Sequence, residues 1–511
     1  MPITHLIAQQ AQRTPDAPAI LGADSAVTYA QFAMRVQAAA TVLMKHGVKP
    51  GDGLALYLPQ SLYWRWAFTL GALRIGACPL AVHPSASGDL QGAPVCQHLL
   101  VARGDQLPTP AGLQRIELDE DALRLLMTTR LVIGLPALAE AEPHAAVLLL
   151  AHASHGGPRV VRLSAPLLQQ RANLARIRHA YSSDSRTLCA LAFDDGLGMQ
   201  HALATWMAGG AVVLNPSADD IGSSVRQHQP SHIVTTPLGI GQLLKAFNEP
   251  APGQAGRVLV VTDGLLPQEW AERALERLGS ELRVVYATAE TSEIAQGNEQ
   301  GLARHPGAMG TPWPEVELEV VEPDGRPCPP LKSGLLRVRS ALTVKAHLAD
   351  FARPGALPAF HDGWVYCEHA AWLTPQGRLA ITGPAAAGAF AALVASVPAQ
   401  PLVPGQGVAL TVLEAAVNAL PEVTEACVLV LHRDDAPPMP VVAVVCEPTV
   451  NLDALAAQIE VIRPGVPTFH LVRVPPLPRL DDGQIDRERL SRSVARGLTG
   501  PLTLKPAAAP T

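Results

Sequence analysis

The stretch Ala151–Val161, AHASHGGPRVV, decides how this chain is read. It follows an apolar run, Ala145–Leu150, whose length suits one buried strand. A strand running into a loop with glycine, serine and a basic residue is a common way to hold a phosphate. Glycines let backbone N–H groups approach the oxygens, and hydroxyls add donors. Here the loop carries His152, Ser154 and His155 and only two glycines, Gly156 and Gly157, before Arg159. It is therefore a phosphate loop, a weakened one, or a surface loop without that task. The rest of the chain has to decide.

The chain has 511 residues, enough for two or more domains with sizeable cores. Hydrophobic residues make up 48% and charged residues 16%, a globular composition far from that of a disordered chain. The net charge of −6 advertises no basic surface, so no nucleic-acid partner is expected. Seven cysteines (Cys78, Cys96, Cys189, Cys328, Cys367, Cys427, Cys446) include no CxxC pair. They read as reduced thiols rather than a disulfide frame or a structural zinc site. Cys189 and Cys367 have no activating neighbour in sequence and read as small buried fillers. The N-terminus lacks a basic stretch followed by an apolar core, and no uncharged apolar run approaches about 18 residues. No signal peptide or membrane span is expected, and the expected location is the cytoplasm.

Short apolar runs alternate with helical stretches through the first 380 residues. Residues 53–58, 76–82, 187–193, 211–214, 232–235, 258–261 and 282–285 read as strands, and 63–75 as a helix. This argues for βαβ units and mainly parallel sheets. After about residue 310 the runs 316–321, 334–339 and 378–381 pair like antiparallel strands, with a turn at 323–325. Residues 385–395 are Ala/Gly-rich and 398–404 Pro-rich, composing a linker. A small second domain follows, with a helix near 411–420, strands at 426–431 and 441–446 and a helix near 452–462. The last residues read as a disordered tail.

Many weak motifs then fall in one order. They include TPDAPA at 14–19, TYAQF at 28–32, GALRIGACPL at 71–80, TTP at 235–237 and GTPWP at 310–314, the last followed by Glu315. DGWVY at 362–366, GRLAITG at 377–383, GQGV at 405–408 and LPRLDDGQIDR at 477–487 complete the series. Together they resemble the adenylate-forming (ANL) superfamily: acyl-CoA synthetases, AMP-dependent synthetases and ligases, adenylation domains and luciferases. The likeness covers nearly the whole chain. It implies an α/β fold. A large N-terminal AMP-binding domain (1–383) would hold βαβ sheets plus a small β-barrel. A hinge linker (384–404), a small mobile α+β C-terminal domain (405–495) and the tail (496–511) would follow. It also implies a reaction in which a small carboxylic acid attacks the α-phosphate of ATP. The acyl group would then pass to the thiol of CoA or of a phosphopantetheine arm on an acyl carrier protein.

By the resemblance, the opening stretch is the phosphate loop, with Ser154, His155, Gly156 and Arg159 in nucleotide-binding positions. Tyr286, Ala287, Ala289 and Glu290 occupy a motif in which the tyrosine stacks on adenine and the glutamate holds Mg²⁺. Ala287 and Ala289 replace a glycine and a threonine that would face the nucleotide. His369, five residues after Trp364, replaces the carboxylate that clamps the ribose. A neutral imidazole offers one acceptor where a carboxylate could serve both hydroxyls. The hinge arginine is Pro384, and Gln484 replaces the catalytic lysine, leaving no charge to offset a pentavalent phosphorane. His201, Trp206, Thr236 and Gly264 are the implied acyl-pocket lining, the alternative being ordinary packing.

The departures share one target, ATP, while the packing residues between them persist. The first expectation is thus a homologue that binds an acyl group or a partner enzyme, with adenylation weak or lost, a pseudoenzyme. The second is a working acid–thiol ligase with Mg²⁺ on Glu290 and Arg159 in place of the loop lysine. The third is altered acyl chemistry or a transition metal among His152, His155, Glu290 and His369, against histidines merely filling an abandoned site.

Overall fold

The computed structural model describes the chain outside residues 83–94, 128–134, 152–158, 192–195, 215–220, 351–359, 385–416, 463–468, 480–484 and 498–511. A few isolated positions (1, 23–24, 59–60, 111, 136, 306, 323–324, 346, 362, 418–419, 421 and 434–435) are also outside it. The linker 385–404, most of the helix expected near 411–420, and His152, Ser154, His155, Gly156 and Gln484 therefore lie outside the described residues.

Two sheets share the core of the large region. In the seven-stranded sheet, Gly53–Tyr57 runs parallel to Cys78–Ala81 on one side and His98–Val101 on the other. All residues of the latter two strands are buried, which is why their sequences show no polar alternation. Ala146–Ala151 lies beside Cys78–Ala81, then pairs antiparallel with Arg159–Ser164 along its whole length, Ala151 opposite Arg159. The opening stretch thus joins two strands of a hairpin. No helix begins directly after residues 152–158, so no helix dipole is added there to any anion held by this loop.

The larger sheet has fourteen strands. Arg186–Cys189, His232–Thr235, Val258–Val261 and Glu281–Thr288 lie side by side and parallel in that order. The helices Gly196–Ala208, Pro237–Ala246 and Gln268–Arg277 fall between them in the chain. Beyond Glu281–Thr288 the sheet turns antiparallel through Ser292–Gly297, Ala308–Pro312, Leu379–Pro384, Trp364–Leu373, Gly334–Ser340 and Val316–Val321. The strands expected as a small barrel thus continue the edge of the large sheet. The join is Ala308–Pro312, which pairs with strands on both sides. Gly310 makes it possible: it has φ +87°, and a Cβ there would lie 1.9 Å from the Gln296 carbonyl oxygen.

Between the sheets, the helices Tyr29–Lys45, Leu62–Arg74 and Gly196–Ala208 pack into one apolar cluster. Gly71 lets the first two approach; a Cβ there would meet the Ala40 amide nitrogen at 2.8 Å. The small C-terminal sheet orders Glu425–Arg433, Ala436–Val445 and His470–Arg473. Alternate residues face opposite ways. Val428, Val442 and Val444 cluster with Leu455 and Ile459 of the helix Leu452–Ile462. Leu429, Val441 and Ala443 cluster with Leu490 and Val494 of the helix Arg487–Gly497. That last helix ends two residues inside the segment expected as a tail, because Leu490 and Val494 anchor it. Among the described residues, no helix is long and apolar enough to cross a membrane.

Candidate functional site

Cys189, Thr235, Val261 and Thr288 end four adjacent parallel strands on one edge of the large sheet. Ligand clefts of open α/β sheets form beyond such carboxyl ends. Thr236, Gly264, Tyr286, Ala289 and Glu290 all follow or close these strands, as the motif order implied. Thr236 is the N-cap of the helix Pro237–Ala246, its hydroxyl accepting from the Gly239 amide at 3.2 Å. Gly264, exposed at φ +155°, abuts Pro237; a Cβ on it would lie 3.1 Å from that ring. These two expected pocket residues are therefore neighbours at the strand ends.

The antiparallel strand Trp364–Leu373 brings His369 to Tyr286. The tyrosine hydroxyl and His369 Nδ1 are 3.0 Å apart, with the rings edge-on at 5.6 Å. Tyr286 is buried and His369 half-buried. Burial lowers the His369 pKa to about 4, so the ring is neutral at pH 7. His369 pairs with Pro384 across the next strand, so the ribose-clamp and hinge positions face each other. Against the strand Gly334–Ser340 the register shifts between Tyr366 and Ala370, so the irregularity falls on residues 367–369, which include His369. Cys367 itself is buried in the core, as expected.

Glu290 lies in the tight connection between Glu281–Thr288 and Ser292–Gly297. Its geometry comes from Arg171, a 3%-exposed residue of the helix Ala165–Arg178. The guanidinium donates to the Ala289 carbonyl at 2.9 Å, the Glu290 carbonyl at 2.7 Å and the Leu342 carbonyl at 2.7 Å. Burial lowers the Arg171 pKa to about 10, with Glu290 opposing the shift. Thr288 and Thr291 hydroxyls meet at 2.9 Å, and Ser292 takes φ +66°, closing the turn. Arg171 thus fixes the backbone of Glu290 at the strand end.

Two other expected pocket residues are elsewhere. Trp206 is fully buried, its Nε1–H donating to the Ala19 carbonyl at 2.8 Å and its ring edge-on to Trp66 at 4.8 Å. It belongs to the core between the sheets, not to an open acyl pocket. His201 is also 0% exposed and sits inside an ionic cluster behind the site. Its Nδ1 lies 2.7 Å from the Tyr181 hydroxyl, and its Nε2 lies 3.6 Å from Glu293. Glu293 also receives His179 Nε2 at 3.1 Å, Gln200 Nε2 at 3.2 Å and Arg178 Nη1 at 2.9 Å. Arg178 further pairs with Glu315 and stacks on Trp313 at 4.2 Å. The glutamate that replaces the family's turn glycine therefore has a partner. Burial would raise the Glu293 pKa, but His179, His201 and Arg178 hold it at about 2. Burial lowers His201 to about 3.

Of the four-residue metal set expected at the nucleotide cleft, the structure describes Glu290 and His369, and His369 Nδ1 is engaged by Tyr286. Arg159 begins the strand Arg159–Ser164, and its side chain lies outside the described residues. Arg171 and Glu293 were missed from sequence. Glu293 stands beside Ser292, Ile294 and Ala295 in a short strand, a weak signal, whereas Arg171, flanked by Gln169, Gln170 and Asn173, had none.

A model of the AMP-binding enzyme family matches residues 7–93 and 143–347. A salicylyl-CoA synthase/salicylate adenylyltransferase from Streptomyces is 25% identical, the alignment covering 97% of this chain and 94% of that one. Enterobactin synthase component F from Escherichia coli O157:H7 is 26% identical over 96% of this chain, which spans only 39% of that protein's length. Among solved structures, the o-succinylbenzoate CoA synthetase of Bacillus subtilis, bound to its acyl-adenylate, superposes with a TM-score of 0.75 at 19% identity. That match covers 96% of this chain and 98% of the other, a likeness of fold.

Proposed function

The chain belongs to the AMP-binding enzyme family, and from that premise we propose that it binds an aromatic carboxylic acid or its acyl form while turning over ATP weakly or not at all. The aromatic class is suggested by relatives that act on salicylate and o-succinylbenzoate. The observation that carries the loss of ATP chemistry is the Tyr286–His369 pair. A family ribose clamp needs an acceptor for two hydroxyls, and a neutral imidazole already engaged by a phenol is a poor one. With Gln484 at the lysine position, two charges that an acyl-adenylate site requires are missing from the sequence. The residues present therefore fit a nucleoside triphosphate poorly.

A second reading, a working acid–thiol ligase loading CoA or a carrier-protein arm, is favoured by one observation. Arg171 still builds the turn that presents Glu290, the Mg²⁺ ligand of the family motif.

ATP–pyrophosphate exchange over a panel of benzoic, hydroxybenzoic and cinnamic acids, beside calorimetric titration of the same acids, separates the readings. Acid binding with exchange at background supports the first. Magnesium-dependent exchange well above background establishes the second. Restoration of exchange by the double variant Gln484→Lys, His369→Asp would locate the lost chemistry at those two positions.

A further inference from the structure

Behind the strand ends, the cluster around Glu293 holds more polar groups than its ion pairs explain. One nitrogen of His179, one of His201 and one oxygen of Glu293 all lie within 4.8 Å of one another, and all three residues are buried. Glu293 Oε1 is 3.1 Å from His179 Nε2 and 3.6 Å from His201 Nε2. Ligand atoms bound tetrahedrally at about 2.0–2.1 Å from zinc stand roughly 3.3 Å apart, and the two separations bracket that value. His201 Nε2 is buried without a hydrogen-bond partner, on a ring that is 0% exposed. An orphan imidazole nitrogen aimed at a carboxylate is what a missing cation would leave.

We propose that His179, His201 and Glu293 form a buried three-ligand site for one divalent transition ion of the zinc class. The surrounding groups suit it. His201 Nδ1 faces the Tyr181 hydroxyl at 2.7 Å, so that Nδ1–H donating to the phenol oxygen leaves the Nε2 lone pair toward the ion. Glu293 binds through Oε1 while Arg178 Nη1 holds Oε2 at 2.9 Å. His179 moves its ring proton from Nε2 to Nδ1 on binding. The Arg283 guanidinium, 3.3 Å from that Nδ1, then rests on the Arg178 carbonyl, to which it already donates at 2.8 Å. The charged groups around the site are Glu281, Glu293 and Glu315 against Arg178 and Arg283, three negative and two positive. A divalent ion therefore leaves the cluster at one net positive charge. The set uses no cysteine, which is why cysteine spacing gave no hint of it. Being fully buried, it would be filled during folding and would tie the end of the helix Ala165–Arg178 and the middle of the helix Gly196–Ala208 to the strand Ser292–Gly297.

The test uses the full chain purified without a metal-binding tag, unfolded in denaturant with EDTA, and refolded with or without Co²⁺. The expected result is about one cobalt per chain after gel filtration, a visible absorption band from imidazole ligation, and a melting temperature above that of protein refolded without metal. His201→Asn should retain less than about a tenth of that cobalt. No retained cobalt in the wild type, or equal retention in His201→Asn, identifies an ionic network only and overturns the site. If His201→Asn does not refold, the wild-type absorption band and melting shift decide alone: absence of either overturns it. Neither readout involves nucleotide or acid, so this outcome is separate from the function proposed above.

Discussion

Glu290 and Glu293 are three residues apart and belong to two different kinds of site. Glu290 stands at the strand end near the neutral His369 and Tyr286 pair, its turn held by a single cation, Arg171. Glu293 lies one turn of chain deeper, ringed by Arg178, His179, His201 and Gln200. The contrast teaches where electrostatics has been kept. On the proposed reading it has been thinned around Glu290, where a triphosphate would need it; around Glu293 it is concentrated on a buried strand. A buried charge persists only with partners, which is why Glu293 is ringed by them.

The largest effect that would sharpen this contrast is Glu293→Leu. It leaves Arg178 and two histidines facing an apolar side chain, and stability should drop by about 3–5 kcal/mol in urea unfolding. A loss below about 1 kcal/mol would mean that the cluster is held by packing instead of charge. Next comes Arg171→Met, which fills much of the same volume but strips donors from three carbonyls. We expect about 2–3 kcal/mol and faster amide exchange across residues 288–292, with the remainder of the sheet unchanged. Exchange unaltered in that turn would show that Arg171 does not build it.

Acid should separate the two regions more gently. His201, His232 and His369 are pushed down to about 3, 4 and 4, so each takes up a proton more readily in the unfolded chain. Their contribution is complete above about pH 6.5 and declines as pH falls from there toward 4. Glu293, held at about 2, adds a further loss between about pH 4.5 and 2. Each of the three histidines should cost about 2 kcal/mol of stability between pH 7 and 5, and His369→Phe should remove about a third of that slope. A profile level from pH 7 to 5 would break the assignment of neutral buried rings. The smallest effect is on binding: His369→Asp should raise AMP affinity about tenfold, or 1.4 kcal/mol, by calorimetry. Unchanged affinity would place the nucleotide defect elsewhere in the cleft.

The parallel strands were legible because each is a short apolar run, buried on both faces, bounded by turn residues; 232–235 and 258–261 match the observed strands at both ends. Thr236, Gly264, Tyr286 and Glu290 follow or close the expected strands 232–235, 258–261 and 282–285, so their place along the chain was legible. His201 and Trp206 were assigned to a pocket and lie in the interior instead. Both are on the helix Gly196–Ala208, whose apolar character all round gives no sign of which face meets a cavity. The barrel-like strands joined the large sheet because Gly310 allows a backbone approach that no pattern of side chains announces.

From the sequence alone came the α/β class, the places of the short parallel strands along the chain, and His369 and Gln484 standing at positions where charge is expected. These follow from local periodicity and from which residue stands at a motif position. Only the tertiary structure decided that Tyr286 and His369 are bonded, that Arg171 builds the Glu290 turn, and that Glu293 gathers two histidines and an arginine. Those partners are separated by 83, 119, and 114 or 115 positions along the chain. At such separations the chain carries no local pattern that pairs them; the packing of helices on the sheet does.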